Sequence, residues 1–206
     1  MKTKAQMGAG TVVILVIVGI LLVSLFAIIG MYNGLVSKDV GVSKSWGNVE
    51  TAYQRRADLI PNYMATVAGA ATFEKSTQED IAKLRTDATQ LQQDTSIAKT
   101  PAALQSTDAQ MPALLGRVNV VVEAYPDLKA TTNFQGFQDE LAGTENRIKF
   151  ERDNYNSAVQ SYQIGVRSFP TNIIAGMYGF SVDKWKMFQS TPGAETAPKV
   201  SFNITG

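Results

Sequence analysis

The hydrophobic positions along the chain follow two different patterns. Residues 11–30 read TVVILVIVGILLVSLFAIIG, a stretch of twenty uncharged and mostly apolar residues. That length matches the roughly 20 residues that a helix needs to cross the hydrocarbon core of a bilayer. Beyond it, apolar residues recur at steps of three, four and seven, which is typical of amphipathic helices, and strand-like alternation is rare. The pattern predicts an all-α protein with a single N-terminal transmembrane helix.

The first soluble helix is predicted to continue directly from this span. Only residues 31–33 lie between the span and an apolar stripe at helical spacing, with Gly34 and Gly41 as weak points. Pro61 is expected to end or kink this helix, because proline lacks the amide that an α-helix requires. The stripe consists of Leu35, Val42, Trp46, Val49, Tyr53 and Ile60.

Two shorter helical patterns follow. The first, from about Asn62 to Ile97, places its apolar residues on one side. Thr100 followed by Pro101 predicts a helix N-cap and a first-turn proline, so a turn is expected near Lys99. A third helix is expected to end at Tyr125. Because Pro112 could also begin a helix, the sequence does not decide where the third helix starts. The apolar residues of the two patterns are Tyr63, Met64, Val67, Ala71, Ile81, Leu84, Ala88 and Leu91, and then Leu114, Leu115, Val118, Val121, Val122 and Tyr125.

The fourth helix has the most regular pattern, with an apolar or aromatic residue at every seventh position. Such a coiled-coil-like stripe requires partner helices, and four antiparallel helices joined by short turns provide them most simply. We therefore predict a four-helix-type bundle with long helices. The heptad positions are Phe134, Leu141, Ile148, Tyr155, Tyr162 and Phe169.

These patterns divide the chain into four parts. Residues 1–10 form a short flank, 11–30 the span, 31–180 the bundle and 181–206 a C-terminal segment. The end of that segment, from about Ser190, is rich in Thr, Pro, Ala and Gly and is expected to be disordered. Within the bundle, the apolar stretch at 173–180 is too short to span a membrane and either caps the bundle or lies on the membrane surface.

Composition removes many kinds of chemistry. The chain has no cysteine and no histidine, so disulfides, structural zinc sites, thiol nucleophiles and histidine acid–base catalysis have no residues available. A net charge of +1 argues against nucleic-acid binding, which requires a dense basic face. Carboxylate, lysine and tyrosine chemistry remain open. We predict no cofactor and no metal.

The densest charged cluster is Arg55, Arg56 and Asp58. It either binds an anion or partner, or supplies an arginine that pairs across the bundle with Glu145 or Glu151. We favour the structural interpretation, because Glu151 falls on the inward register of the fourth helix and would need a partner there.

The orientation of the span depends on its flanking charges. Lys2 and Lys4 precede it closely, whereas Lys38 and Lys44 follow at a greater distance. The positive-inside rule therefore favours a cytoplasmic N-terminus and a bundle outside the cytoplasm, anchored in the cell (inner) membrane by a single pass.

Several motifs resemble those of the LemA family. They are Tyr32-Asn33-Gly34-Leu35-Val36, Trp46 and residues 54–62 (QRRADLIPN), and later residues 123–129 (EAYPDLK), Glu140-Leu141, 143–148 (GTENRI), Tyr155-Asn156 and Phe169-Pro170 with Asn172. The resemblance implies a single-pass membrane protein with an antiparallel helical bundle. It also implies envelope partners such as a membrane peptidase, and it supplies no catalytic residue.

The leading functional hypothesis is a non-catalytic, membrane-anchored scaffold or adaptor of the cell envelope. The alternative is a self-assembling subunit that forms a homo-oligomer or filament through its spans and bundles. An enzyme using a carboxylate–guanidinium site is the weakest hypothesis. Structural or partner contacts are expected at Arg55, Arg56, Asp58, Glu145, Arg147 and Asn172.

Overall fold

The N-terminal helix runs without a break from the apolar segment into the bundle. The structure, a computed structural model, describes residues 9–70, 75–124 and 132–189. Helix α1 covers Ala9–Ala70 and includes the Asn33-Gly34 junction. Within the described residues it is the one helix long and apolar enough to cross a membrane, and its most apolar part is buried against nothing else in the chain. Together these observations fit a single-pass membrane protein.

Helix α1 continues through Pro61, so this residue does not end the helix, and the predicted kink stays a prediction. Proline removes one amide donor, which leaves the carbonyl of Ala57 without its usual helical partner. The burial of Ile60, Tyr63 and Met64 on either side of the proline stabilises the helix and compensates for the missing hydrogen bond. The second predicted pattern is consequently split, since residues 62–70 belong to α1.

Five further helices complete the described part of the chain. Helix α2 covers Lys75–Ile97, α3 Pro101–Asp108, α4 Met111–Ala124, α5 Thr132–Arg167 and α6 Thr171–Tyr178. The predicted N-cap is confirmed, because the Thr100 hydroxyl accepts a hydrogen bond from the Ala103 amide at 3.2 Å and Pro101 opens α3. Tyr125 and the tail from residue 190 lie outside the described residues.

Neighbouring helices are antiparallel, as cross-helix contacts show. Along α1, Lys38 contacts Ser161, Arg55 contacts Glu140 and the Tyr63 ring stacks on Phe137, so numbers rise on α1 as they fall on α5. The same relation holds between α1 and α2, where Glu50 meets Lys99 and Asp58 meets Gln92. Arg117 of α4 pairs with Asp87 of α2. The predicted all-α antiparallel bundle is confirmed.

The core consists of two hydrophobic clusters separated along the bundle axis. The membrane-proximal cluster includes Leu35, Val42, Tyr155 and Tyr162, and the membrane-distal cluster includes Met64 among others. Five of the six predicted heptad positions on α5 contribute to these clusters. The sixth, Phe169, lies beyond the end of α5 and is 82% exposed, so its predicted place in the core was wrong.

A C-terminal strap, residues 180–189, packs along the proximal half of the bundle. Phe188 is buried against the rings of Trp46, Tyr53 and Tyr155. The Asn156 side chain holds the backbone of Phe188 by accepting from its amide at 2.9 Å and donating to its carbonyl at 3.2 Å. The strap therefore supplies part of the proximal core.

Candidate functional site

A buried arginine lies at the junction of the two hydrophobic clusters. Arg56 of α1 is 3% exposed, and its Nη2 lies 2.7 Å from Asp108 Oδ1 while its Nη1 lies 2.8 Å from Glu145 Oε1. A single guanidinium thus joins α1, α3 and α5. Its carbon also lies 5.1 Å from the centroid of the Tyr53 ring, within the range of a cation–π interaction. Arg152 Nη1 approaches Asp108 from the other side at 3.7 Å.

The charges of this centre compensate one another. Burial by itself would lower the pKa of the Arg56 guanidinium, but Asp108 and Glu145 outweigh burial and raise that pKa above its ordinary value. Burial also raises the pKa of the Tyr53 hydroxyl to about 12, and the nearby Asp108 carboxylate adds to the shift. Arg56 is therefore held as a permanent cation and Tyr53 as a neutral phenol.

Glu151 is the second deeply buried charge. It is 1% exposed on the inward face of α5, and its Oε1 lies 2.6 Å from Nη2 of Arg147, one turn earlier on the same helix. Its partner is therefore neither Arg55 nor Arg56. Arg147 remains 63% exposed, so this pair connects the interior of the bundle to its surface.

A shallow groove runs between α1 and α5 on that surface. It has a volume of about 480 Å³ and is flanked by Arg55, Glu140 and Arg147, with Asn48 and Thr51 on its α1 side. Arg55 pairs with Glu140 at 3.3 Å, and both side chains are largely exposed. Exposed pairs of this kind contribute little to stability, so these charges can rearrange towards an incoming partner.

The remaining predicted residues lie elsewhere. The Asp58 Oδ1 atom accepts hydrogen bonds from Gln54 at 2.7 Å and from Gln92 of α2 at 2.6 Å, which makes it a link between α1 and α2. Asn172 is exposed at the start of α6, and its amide donates to the Ser168 carbonyl at 2.7 Å. The six predicted residues therefore do not converge on one site.

Sequence reasoning missed three residues that organise the bundle. Asp108 completes the Arg56 centre, Asp39 accepts from the Trp185 indole at 2.8 Å and from Lys184 at 2.7 Å, and Asn156 holds the strap. Asn156 stands in a family-like Tyr-Asn motif that could have indicated it. Within residues 9–70, 75–124 and 132–189, no group of three potential metal ligands lies together.

Comparison with known proteins identifies the family. The sequence model of the LemA family matches residues 45–202, which is more than half of the chain. The chain belongs to the LemA family. The match begins after the apolar segment, so the family assignment depends on the bundle and not on the span.

Curated relatives agree with this LemA assignment. Magnetosome proteins MamQ 1 and MamQ 2 of Paramagnetospirillum magneticum are each 26% identical over 216 residues, covering 95% of this chain and 79% of theirs. Protein LemA of Metamycoplasma hominis is 27% identical over 150 residues, covering 73% of this chain and 66% of its own length. The magnetosome designation belongs to those relatives.

Proposed function

We propose that this LemA-family chain is a non-catalytic scaffold or adaptor of the cell envelope. Residues 11–30 hold it in the cell (inner) membrane, and the bundle projects outside the cytoplasm. The observation that carries the proposal is the continuity of α1 from the span through Asn33-Gly34 into the bundle core. Because one helix belongs to both parts, the membrane fixes the direction in which the bundle presents its surfaces.

The charged side chains also favour a binding role over catalysis. Arg56 and Arg152 together balance the charges of Asp108 and Glu145, and Glu151 is paired with Arg147. A general acid or base must have a pKa near the working pH in order to exchange protons. The raised pKa values of Arg56 and Tyr53 move those two groups away from that range.

The proposed partner surface is the groove between α1 and α5. It combines exposed charges of both signs with a floor that includes Ala52 and Gly143. Its chemistry suits a polar protein segment, and an envelope protein such as a membrane peptidase is the partner class that the family resemblance suggests. Asp58 and Asn172 lie outside this groove and are proposed as structural contacts.

Copurification from solubilised membranes tests whether the groove binds a partner protein. The Asn48→Arg/Thr51→Arg double variant places two long cationic side chains in it, both at exposed positions of α1. The matched control Ala82→Arg/Thr86→Arg adds the same charge to the exposed face of α2. We expect wild type and control to recover the same partner and the groove variant to lose it. Equal recovery by all three, or no partner at all, contradicts the proposal.

Sizing the detergent-solubilised chain separates the adaptor from the self-assembly alternative. A monomer with a heterologous partner supports the adaptor. A homo-oligomer of defined size that binds nothing else favours the self-assembling subunit.

Topology can be tested directly because the chain contains no cysteine. A Val120→Cys variant places one exposed thiol on α4. We expect a membrane-impermeant maleimide to label it in intact cells, or in cells whose outer permeability barrier alone has been opened. Labelling only after full lysis would place the bundle in the cytoplasm and overturn the proposed orientation.

A further inference from the structure

The end of the bundle nearest the span has an exposed apolar surface that the bundle core does not use. We name it the α6 face, and it consists of Phe169, Ile173, Met177 and Tyr178, which are 82%, 53%, 73% and 57% exposed. The opposite side of α6 buries Ile174 and Ala175 against the bundle. Helix α6 therefore caps the bundle with one side and leaves the other uncovered by the described part of the chain.

Contacts to α1 place this surface at the end of the span. The Tyr32 ring centroid lies 4.9 Å from that of Tyr178 and 5.9 Å from that of Phe180. Since a helix rises about 1.5 Å per residue, Tyr32 lies only about 3 Å beyond residue 30 along α1. Tyrosine is enriched at that depth, where one end of its ring meets apolar chains and the other meets water.

The C-terminal end of α5 reaches the same level. Gly165 packs against the side chains of Lys38 and Leu35, so closely that an added Cβ would lie 3.0 Å from Lys38 Cδ. Helix α5 runs antiparallel to α1 and ends at Arg167, so the chain that leaves it towards Phe169 continues in the direction of the span. Phe169 lies just before α6 and Tyr178 at its other end, and Tyr178 contacts α1 next to the span.

The charge distribution marks the same boundary. No charged residue occurs between Arg167 and Asp183, or between Lys4 and Lys38. One residue beyond Lys38 and Asp183, the two segments are joined by an ion pair, since Lys184 Nζ lies 2.7 Å from Asp39 Oδ2. Asp39 lies about 13 Å beyond residue 30 at the helical rise, outside the hydrocarbon core and beyond an interfacial layer about 5–8 Å thick.

We propose that the α6 face inserts into the interfacial layer of the same bilayer that the span crosses. The bundle thus has two membrane contacts, a transmembrane helix and an interfacial helix, and together they fix its tilt. Lipid is the occupant because the α6 face is continuous, through Tyr32, with the exposed apolar surface of α1. Interfacial helices bury their apolar side about 5–10 Å into the boundary between headgroups and acyl chains, which matches an uncharged surface at this level.

Spin labelling of the full chain in nanodiscs tests the proposal. Phe169→Cys, Ile173→Cys and Met177→Cys each introduce the one thiol of the chain at an exposed position, for a nitroxide label. The discs contain phosphatidylcholine and phosphatidylglycerol and hold one chain each. Power saturation then compares collisions with oxygen, which concentrates in lipid, and with a water-soluble nickel chelate. We expect an oxygen-to-nickel collision ratio severalfold higher at these positions than at Val120→Cys, an exposed position on α4.

A Phe26→Cys label separates failure of this inference from failure of the proposed anchor. Phe26 lies within the apolar segment, four residues before its end at residue 30, and is 70% exposed. If Phe26 reports lipid while Phe169, Ile173 and Met177 collide with nickel as Val120 does, the α6 face is in water and the inference is wrong. Low collision rates with both reagents at the α6 face would indicate a protein partner and would also overturn it. If Phe26 itself is accessible to nickel, the membrane anchor fails as well.

Discussion

Arg56 and Asp108 form an ion pair of 2.7 Å between α1 and α3, with the guanidinium almost completely buried and the carboxylate partly exposed. The pair lies at the junction of the two hydrophobic clusters. Glu145 adds a third helix to the same cation. Arg56 therefore links α1, α3 and α5 at one level of the bundle.

Removing this cation should destabilise the bundle much more than removing its neighbour. We expect Arg56→Met to lower the free energy of unfolding by about 2–4 kcal/mol, because Asp108 and Glu145 lose the buried guanidinium, although Asp108 keeps Arg152 at 3.7 Å and both carboxylates can recover some hydration. Arg55→Met removes an exposed pair with Glu140 and should cost less than about 1 kcal/mol. Thermal unfolding followed by circular dichroism in detergent measures both, and equal effects would contradict a structural role for Arg56.

The strap should be an integral part of the proximal core. We expect Phe188→Ala to cost about 3–5 kcal/mol, the usual loss for a buried phenylalanine. Phe150→Ala removes the same side chain from an exposed position on α5 and should change stability by no more than about 0.5 kcal/mol. Chemical unfolding of both variants provides the comparison. A small effect at Phe188 would mean that the strap can detach without loss of the bundle.

Stability should fall at alkaline pH because of the buried tyrosines. Burial raises the pKa values of Tyr53, Tyr63 and Tyr155 to about 12, whereas an unfolded tyrosine ionises near pH 10. Their contribution is fully present below about pH 10 and is lost as the pH rises towards 12, because the unfolded chain releases protons first. Unfolding midpoints measured between pH 9 and 12 should therefore decrease. Tyr53→Phe should make that decrease shallower, and an unchanged slope would exclude Tyr53 as a contributor.

The junction between span and bundle should become more rigid when Gly34 is replaced by alanine. Gly34 lies within α1, and a Cβ added there would meet nothing within 4 Å. Alanine should therefore stabilise the helix locally by about 1 kcal/mol, whereas Gly34→Pro should disrupt it. Hydrogen exchange of residues 31–38 should slow in the first variant and accelerate in the second. Fast exchange in wild type, unaffected by Gly34→Ala, would show that the junction is not helical in solution.

Much of the fold could be predicted from the chain because helical periodicity is a local property. The apolar segment, the stripes of α1 and α5 and the Thr100 cap follow from residues within a few turns of one another. Pro61 was the main local signal that misled, because its effect on the helix depends on the burial around it. Phe169 misled for a related reason, since the heptad extends beyond the residue at which α5 ends.

The site was less predictable because it depends on contacts distant in sequence. The sequence by itself determined that the chain is helical, which faces of the long helices are apolar, and that Glu151 requires a partner. Only the tertiary structure decided that Arg56 pairs with Asp108 and Glu145, that Glu151 pairs with Arg147, and that Phe188 enters the core. The physical reason is that an amphipathic face specifies burial without specifying a partner. The partner is set by the register of the antiparallel helices, which emerges only when all their side chains pack together.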